Sequence, residues 1–322
     1  ALFYFELVRC FGGVPMQTEP ILNVNQVVNI ERSPADSVYA QVIRDLNYAL
    51  ESLPESTLSG RPSSWTATAY LGKVYAKIDE PRLAFPLTRA VILSDEYALL
   101  ESYGSNFEVN NKLNSEIILA SPLSAQSTGN VNNRSLPAQL NGRSLELPTA
   151  SLVASFSDSD PRRDVTIITS IMNPDSTVST IEPHVAKYWD EIAEPNGGPT
   201  SVNYPVLRYT DILLLHAEIV NELNNGPTSE AYFVVNLVRE RVGLQPLSGL
   251  NQETFRQALL EERQRELAWE GYRWYDLKRF DQLEEKVSDA KPEVSISARH
   301  QLLPIPNIEI SLNPSLVQND GY

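Results

Sequence analysis

The chain has 322 residues, 42% of them hydrophobic, enough to bury a sizeable core in one large domain or two ordinary ones, which excludes a largely disordered polypeptide. With 26 basic against 41 acidic residues the net charge is −15, a field that repels phosphate backbones, so nucleic acid is not an expected partner. No apolar run approaches the roughly 20 residues that a bilayer-spanning helix needs, and the single cysteine, Cys10, leaves no intramolecular disulfide and no multi-cysteine metal site.

In chain order, "ALFYFELVRC" shows apolar residues at helical spacing from its first position and no basic leader before an apolar core, so the sequence reads as starting inside a longer protein. Val8 and Arg9 precede Cys10, where a lipid attachment site wants small residues; a packed helical thiol is expected. The helix stops at "GGVP". "SPADSVYAQVIRDLNYALESLP" predicts a second helix, with Ser33 as its cap, Pro34 in its first turn and Val38, Val42, Leu46, Ala49, Leu50 and Leu53 along one apolar face. "WTATAYLGKVYAKI" and "PRLAFPLTRAVILS", joined by "DEP", predict two antiparallel helices that small residues let approach closely, in the manner of a tetratricopeptide hairpin. "RYTDILLLHAEIVNELNN" and "AYFVVNLVRERVG" repeat that layout, with Thr228 or Ser229 as the cap and Gly243 as the stop.

Between the hairpins, residues 121–205 are polar and turn-rich, as in "SAQSTGNVNNRS", "SDSDPRRD" and "EPNGGPTS": a loop-rich insert on a helical frame, where binding residues usually concentrate. "NQETFRQALLEERQRELAWEGYRWYDLKRF" then predicts a long helical segment, and residues 282–322 an irregular tail pinned by its apolar side chains.

The sequence carries no nucleophile motif, phosphate loop or dinucleotide fingerprint. His216 has no second His four residues on and reads as a packing residue, while Asp158, Asp160 and Asp164 lack the glycine and terminal Glu of a calcium loop and read as a structural turn. No metal or cofactor is expected. On a helical wheel Leu260, Leu267, Trp274 and Leu277 form one packed stripe, with Trp274 buried and Leu267 beside it; Glu262, Glu266, Trp269 and Arg273 form the next. Acids interleaved with arginines favour ion pairs that keep the carboxylates ionised, the opposite of what the general acid of a glycosidase requires.

"EERQRELAWEGYRWYDLKRF" followed by "HQLLPIPNIEISLNPSLVQNDGY" resembles the C-terminal signature of the SusD/RagB family of nutrient-binding outer-membrane lipoproteins. "ALFYFELVRCFGGVP", "RDLNYALESLP", "GRPSSWTATAYLGKVYA", "YPVLRYTDILLLHAEIVNEL" and "VNLVRERVGL" are similar to its helices, in the family's order. The resemblance implies a mainly α fold, tetratricopeptide-like hairpins forming a superhelical scaffold with a loop-rich ligand region. Residues 1–105 would be the remainder of the N-terminal helical region, and residues 106–322 the C-terminal region, made of the insert 121–205, helices over 206–281 and the tail 282–322.

It further implies a non-enzymatic, surface-exposed outer-membrane protein, lipid-anchored through an N-terminal segment outside this sequence. Such a protein captures oligosaccharide and delivers it to a SusC-like TonB-dependent β-barrel transporter. The alternatives are oligopeptide capture for a RagA-like transporter and a glycan-degrading enzyme. Glycans are held by stacking on exposed aromatics, with Asn, Asp, Arg and Gln satisfying hydroxyls. In the insert the residues fitting that chemistry are Tyr188, Trp189, Asn132, Asn133, Arg134 and Arg143, with Tyr188 reading equally as packing; Trp65 and Tyr103 are further aromatic candidates.

Overall fold

The computed structural model describes residues 1–20, 22–23, 30–56, 61–124, 133–173, 175–190 and 200–322. In chain order the elements are α1 (Leu2–Phe11), α2 (Ala35–Ser52), α3 (Ser64–Lys77), α4 (Pro81–Ile92), β1 (Ile117–Ser121), α5 (Ala150–Ser155), α6 (Arg162–Thr166), β2 (Ile167–Met172), β3 (Val178–Val185) and β4 (Tyr204–Arg208). They continue with α7 (Tyr209–Leu223), α8 (Ser229–Arg241), α9 (Gln252–Glu266), α10 (Arg273–Arg279), α11 (Leu283–Ala290) and α12 (Asn307–Leu312). The fold is mainly α, and the chain forms two compact units, Ala1–Leu53 with Leu277–Tyr322, and Pro54–Asp276.

In the first unit, α1 stops at Gly12, whose φ of +73° is open to glycine at little cost. Val8 joins Val14 and Val38 in a small core. The expected cap of α2 is not formed: the N-cap position is taken by Pro34, which has no side-chain acceptor, and Ser33 stands one residue earlier in a bridge with Val14, its N–H donating to Val14 O at 2.9 Å. Val38, Val42 and Leu46 are buried as the periodicity predicts, while Ala49, Leu50 and Leu53 are only partly covered. Cys10 lies half-buried in α1 and its carbonyl accepts from Leu303 N–H at 2.7 Å. The tail carries more structure than its prolines suggest, since it includes α11, a 3-10 turn at Ala298–Gln301 and α12. Polar clamps tie it back: the Asn319 amide donates to Phe11 O and Leu303 O, and the Arg32 guanidinium donates to Phe11 O, Val317 O and Asn319 Oδ1, all at 2.7–3.1 Å.

In the second unit, α3 is opened by a capping box between Ser63 and Thr66 and packs antiparallel on α4. Gly72 sits at their closest approach, where an added Cβ would stand 2.9 Å from Thr88 Cγ2; the small residue is what allows the helices to close. Thr228 caps α8, which ends before Gly243 at φ +71°. α7 lies among α4, α8 and α9 and is buried on nearly all sides, so that its polar Thr210, Asp211, His216 and Asn221 are enclosed along with its apolar residues. Its His216 is a packing residue: the ring stacks on Phe85 at 5.3 Å, with Nδ1 2.9 Å from Thr88 Oγ1 and Nε2 3.3 Å from Glu230 Oε1. Burial lowers its pKa, against the opposing pull of Glu230.

The described residues of the segment 121–205 carry α5, α6 and the antiparallel β2–β3 pair, more regular structure than their composition suggests. β1 and β4 form a second antiparallel pair. The long helix expected over 251–280 breaks after Glu266, because Trp269 and Gly271 adopt φ of +64° and +80° before α10 begins. The single stripe drawn from Leu260 to Leu277 therefore does not exist. Leu267 is buried, but Trp274 is only half-buried.

Candidate functional site

The charge concentrated around "EERQRELAWEGYRWYDLKRF" builds a buried ion lattice, all of it in the second unit. Glu262 and Glu266, one turn apart on α9, turn inward, and the Arg162 guanidinium from α6 donates to both at 2.6 and 3.0 Å while forking onto Asp160 at 2.7–3.2 Å. Arg208, at the end of β4, grips Glu270 with two bonds of 2.8 Å, reaches Glu266 at 3.1 Å and also pairs with Glu116. Arg241 closes the ring on Glu116 at 2.9 Å and Glu266 at 2.7 Å, and Arg239 holds Glu262 at 2.7 Å. Lys187 is fully enclosed, donating to Glu270 at 2.6 Å and Ala268 O at 2.8 Å beneath the rings of Phe107 and Tyr103.

Beside this ring, Asp211 pairs with Lys73 and, at 2.7 Å, with Arg263, whose other partner is Asp276 at 2.9 Å. Arg265, one turn along α9, reaches Glu262 at 3.1 Å, but the other arginines that neutralise Glu262 and Glu266 come from other elements rather than from Arg263 and Arg273 on the same segment, and the wheel could not have shown this. Asp160 acts as the structural turn residue expected of "SDSDPRRD".

The electrostatics follow from this geometry. Burial pushes the Glu266 carboxyl up, but Arg241, Arg208 and Arg162 together outweigh it and hold the group well below the ordinary carboxylate range. Glu262 and Glu116 are shifted the same way, with arginines overcoming burial. Asp211 is held down by Lys73 and Arg263 against its burial. These acids are permanent counter-ions, and none is tuned as a proton donor. Lys187 goes the other way: burial, only partly offset by Glu270, lowers its pKa to about 8.

The residues expected to meet ligand fall into three groups. Tyr188 is wholly buried, with its hydroxyl donating to Trp269 O at 3.2 Å and its ring in edge contact with Phe107; a ring with no open face packs rather than stacks on a sugar. Tyr103 is likewise core, donating to Glu266 O at 3.0 Å, and Trp65 is half-buried at the start of α3. Asn132 lies outside the described residues.

Asn133, Arg134 and Arg143 are brought together by one compact loop. Arg143 N–H donates to Asn133 O at 2.7 Å, Leu145 and Glu146 N–H donate to Arg134 O at 2.7 and 3.0 Å, and the exposed Arg134 and Glu146 side chains pair. Ser144 of this loop lies 3.1 Å from His184 Nε2 at the end of β3; the chain then turns, with Trp189 N–H donating to Ala186 O at 2.8 Å, and leaves the Trp189 side chain half-buried.

A feature that sequence reasoning missed is a polar cleft of about 200 Å³, lined by residues including Glu55, Arg61, Glu96, Tyr97, Asn114, Ser115 and the edge of β1. Its residues lie in three stretches separated in sequence, 55–63, 96–97 and 113–120, so no local pattern announces it. Among the described residues no group of His, Cys, Asp and Glu is arranged to hold a metal ion, and no helix is long and apolar enough to cross a membrane.

Comparisons with known proteins agree with this architecture. Residues 157–322 match the model of the SusD family, and residues 1–76 match the model described as starch-binding associating with outer membrane. SusD-like protein P2 of Formosa agariphila is 30% identical across the whole chain, which covers 72% of that protein; SusD-like protein P25 of the same organism is 28% identical, with 70% covered. Among solved structures, a SusD superfamily protein from Parabacteroides distasonis superposes with a TM-score of 0.89 at 26% identity, over 100% of this chain and 76% of that one. A laminarin binding SusD-like protein superposes with a TM-score of 0.85 at 27% identity, again over 100% and 76%.

Proposed function

Because the chain belongs to the SusD/RagB family, we propose that it is a non-enzymatic, surface-exposed and lipid-anchored protein of the outer membrane that captures oligosaccharide and passes it to a SusC-like TonB-dependent transporter. The observation that carries this reading is the division of its polar side chains. The acids of the α9 segment are locked into the core as counter-ions, whereas Asn133, Arg134 and Arg143 stand on one exposed loop against the strand that leads to Trp189. Such a surface offers guanidinium hydrogen bonds beside an aromatic edge, which is how a sugar is held without being cleaved. The laminarin-binding relative supports a glycan as the ligand class.

Calorimetry against neutral and acidic oligosaccharides and extended peptide pools tests the ligand. Glycan binding that weakens about tenfold or more in Trp189→Ala is expected, since a lost stacking platform and its desolvation are worth on the order of 1.4 kcal/mol. Binding of peptides alone, or turnover of a glycan abolished by Glu266→Gln in a still-folded protein, would overturn the reading. Delivery is tested separately: gentle solubilisation of outer membranes should recover a complex with a large β-barrel, and recovery of the monomer alone would count against it.

A further inference from the structure

The cleft beside β1 is built as a second binding site. Its floor is the outer edge of β1, which among the described residues pairs only with β4 on its other side. Tyr97 forms one wall, half-buried and stacked on Tyr209 at 6.3 Å, so that its ring is fixed. Glu55, Arg61 and Glu96 stand exposed around the mouth, with Asn114 and Ser115 beside them.

The site is pre-organised from behind. Glu116, between the lining residues Ser115 and Ile117, is fixed by Arg208 and Arg241 and accepts from Leu100 N–H at 3.2 Å and Asn106 Nδ2 at 2.9 Å. A ligand entering the cleft would therefore meet groups already in place, which lowers the ordering cost of binding.

Two observations decide the ligand class. The free edge of a strand invites an added peptide strand, but here one acceptor on β1 and another two residues before its start are taken. Thr66 Oγ1 donates to Ile118 O at 3.3 Å and Ala98 N–H donates to Ser115 O at 3.0 Å. Recognition is thereby left to side chains, and these are an aromatic face ringed by carboxylates, an amide and a hydroxyl, the set that satisfies sugar hydroxyls. At about 200 Å³ the cleft is smaller than the ~300–1,000 Å³ of drug-sized pockets, which suits a single sugar ring. Two carboxylates against one guanidinium disfavour an anionic ring.

We infer that this cleft binds one terminal, uncharged sugar ring of an oligosaccharide, independently of the loop that carries Asn133, Arg134 and Arg143. The inference rests on the glycan-capture reading and adds a subsite to it. The test measures laminarihexaose, maltohexaose, a uronate hexamer and an extended peptide pool, by calorimetry and ligand-observed NMR, on the wild-type chain and on Tyr97→Ala, Ser56→Trp and Trp189→Ala. Ser56 is an exposed lining residue, so Ser56→Trp fills the cleft without touching the core and keeps the test informative should Tyr97→Ala unfold.

The expected result is a three- to tenfold loss of affinity for a neutral hexasaccharide in the cleft variants, multiplying with the loss in Trp189→Ala rather than replacing it. Unchanged binding in Ser56→Trp, with binding lost in Trp189→Ala, would overturn the cleft and leave glycan capture standing. Loss confined to the uronate or to peptides would overturn the assignment to a neutral sugar. Failure of the wild type to bind any glycan would overturn both.

Discussion

Two regions of the second unit use the same pair of groups to opposite ends. In the ion lattice, Arg162, Arg208, Glu116, Glu262 and Glu266 are each wholly buried; in the loop at 133–146, the Arg134 and Glu146 side chains pair while 56% and 44% exposed. A buried ion pair is costly to assemble and costlier to break, because the surviving partner is left charged in a medium that cannot solvate it. An exposed pair is worth little, since water and salt replace it readily. The lattice therefore specifies which elements meet, drawing its members from α6, β4, α8 and α9, while the loop leaves its arginine available to a ligand.

The largest effect should come from breaking the lattice at its hub. Arg208→Met strips Glu116, Glu266 and Glu270 of a shared partner and should cost at least about 3–5 kcal/mol, read as a fall in the urea midpoint or a failure to fold. The same lattice sets the acid limit. Glu116, Glu262, Glu266 and Asp211 all have folded pKa values below their unfolded ones, so the unfolded chain takes up protons first as pH falls. Their stabilisation is complete above the unfolded carboxylate range of about 4–4.5 and is lost progressively below it. Denaturation midpoints that stay flat from pH 7 to 3 would contradict this.

Lys187 breaks the comparison from inside, because it is a buried ion that the lattice does not fully repay. Its folded pKa of about 8 lies below the ordinary lysine value of 10.5. The unfolded chain holds the extra proton between these limits, so stability should rise from pH 8 to 10.5 and be at its lowest from this group below pH 8. Lys187→Met removes that dependence and leaves Glu270 with both of its bonds to Arg208. The variant should gain on the order of 3 kcal/mol over the wild type at neutral pH, less whatever Ala268 O loses, and the gap should close by pH 10.5. A variant that is strongly destabilised at pH 7 would show that the ammonium is needed where it stands.

How much of this was legible in the sequence depends on how locally each feature is encoded. The α3–α4 and α7–α8 hairpins could be read from periodicity, Thr228 and Gly243, because caps and amphipathic faces are properties of a single segment. That the α9 acids would be neutralised was legible; that Arg162, Arg208 and Arg241 would do it was not, since those residues lie as much as 104 positions away along the chain. The break at Trp269 and Gly271 defeated the wheel because one glycine in a periodic run signals a helix contact and a chain reversal equally well. Tyr188 and Trp189 are adjacent and chemically alike, and only the tertiary packing of Phe107 and Trp269 around the first decides that it is core. The polar cleft gave no signal at all, being assembled from three separate stretches.

A smaller effect is expected at the helix contact that was read correctly. Gly72→Val would place its Cβ against buried Thr88 and add two methyls there, at a cost of about 1–3 kcal/mol in the thermal or urea midpoint. Val should be tolerated only if α3 and α4 can part without opening the core around Ala84, Leu215 and Ile219.

The smallest effect on stability belongs to the exposed loop. Arg134→Ala removes an ion pair to Glu146 but leaves intact the backbone bonds that close the loop, because Arg134 O, not its side chain, accepts from Leu145 and Glu146. The change in stability should stay within about 1 kcal/mol and vanish near 1 M salt, where the Debye length is about 3 Å. Glycan affinity should nevertheless fall, since the guanidinium would be lost from a loop whose shape is unchanged. An Arg134→Ala protein that unfolds early would place Arg134 with the structural arginines after all. One that unfolds normally but binds less glycan would show that Arg134, exposed on its loop, serves ligand rather than the fold, unlike the arginines buried among acids.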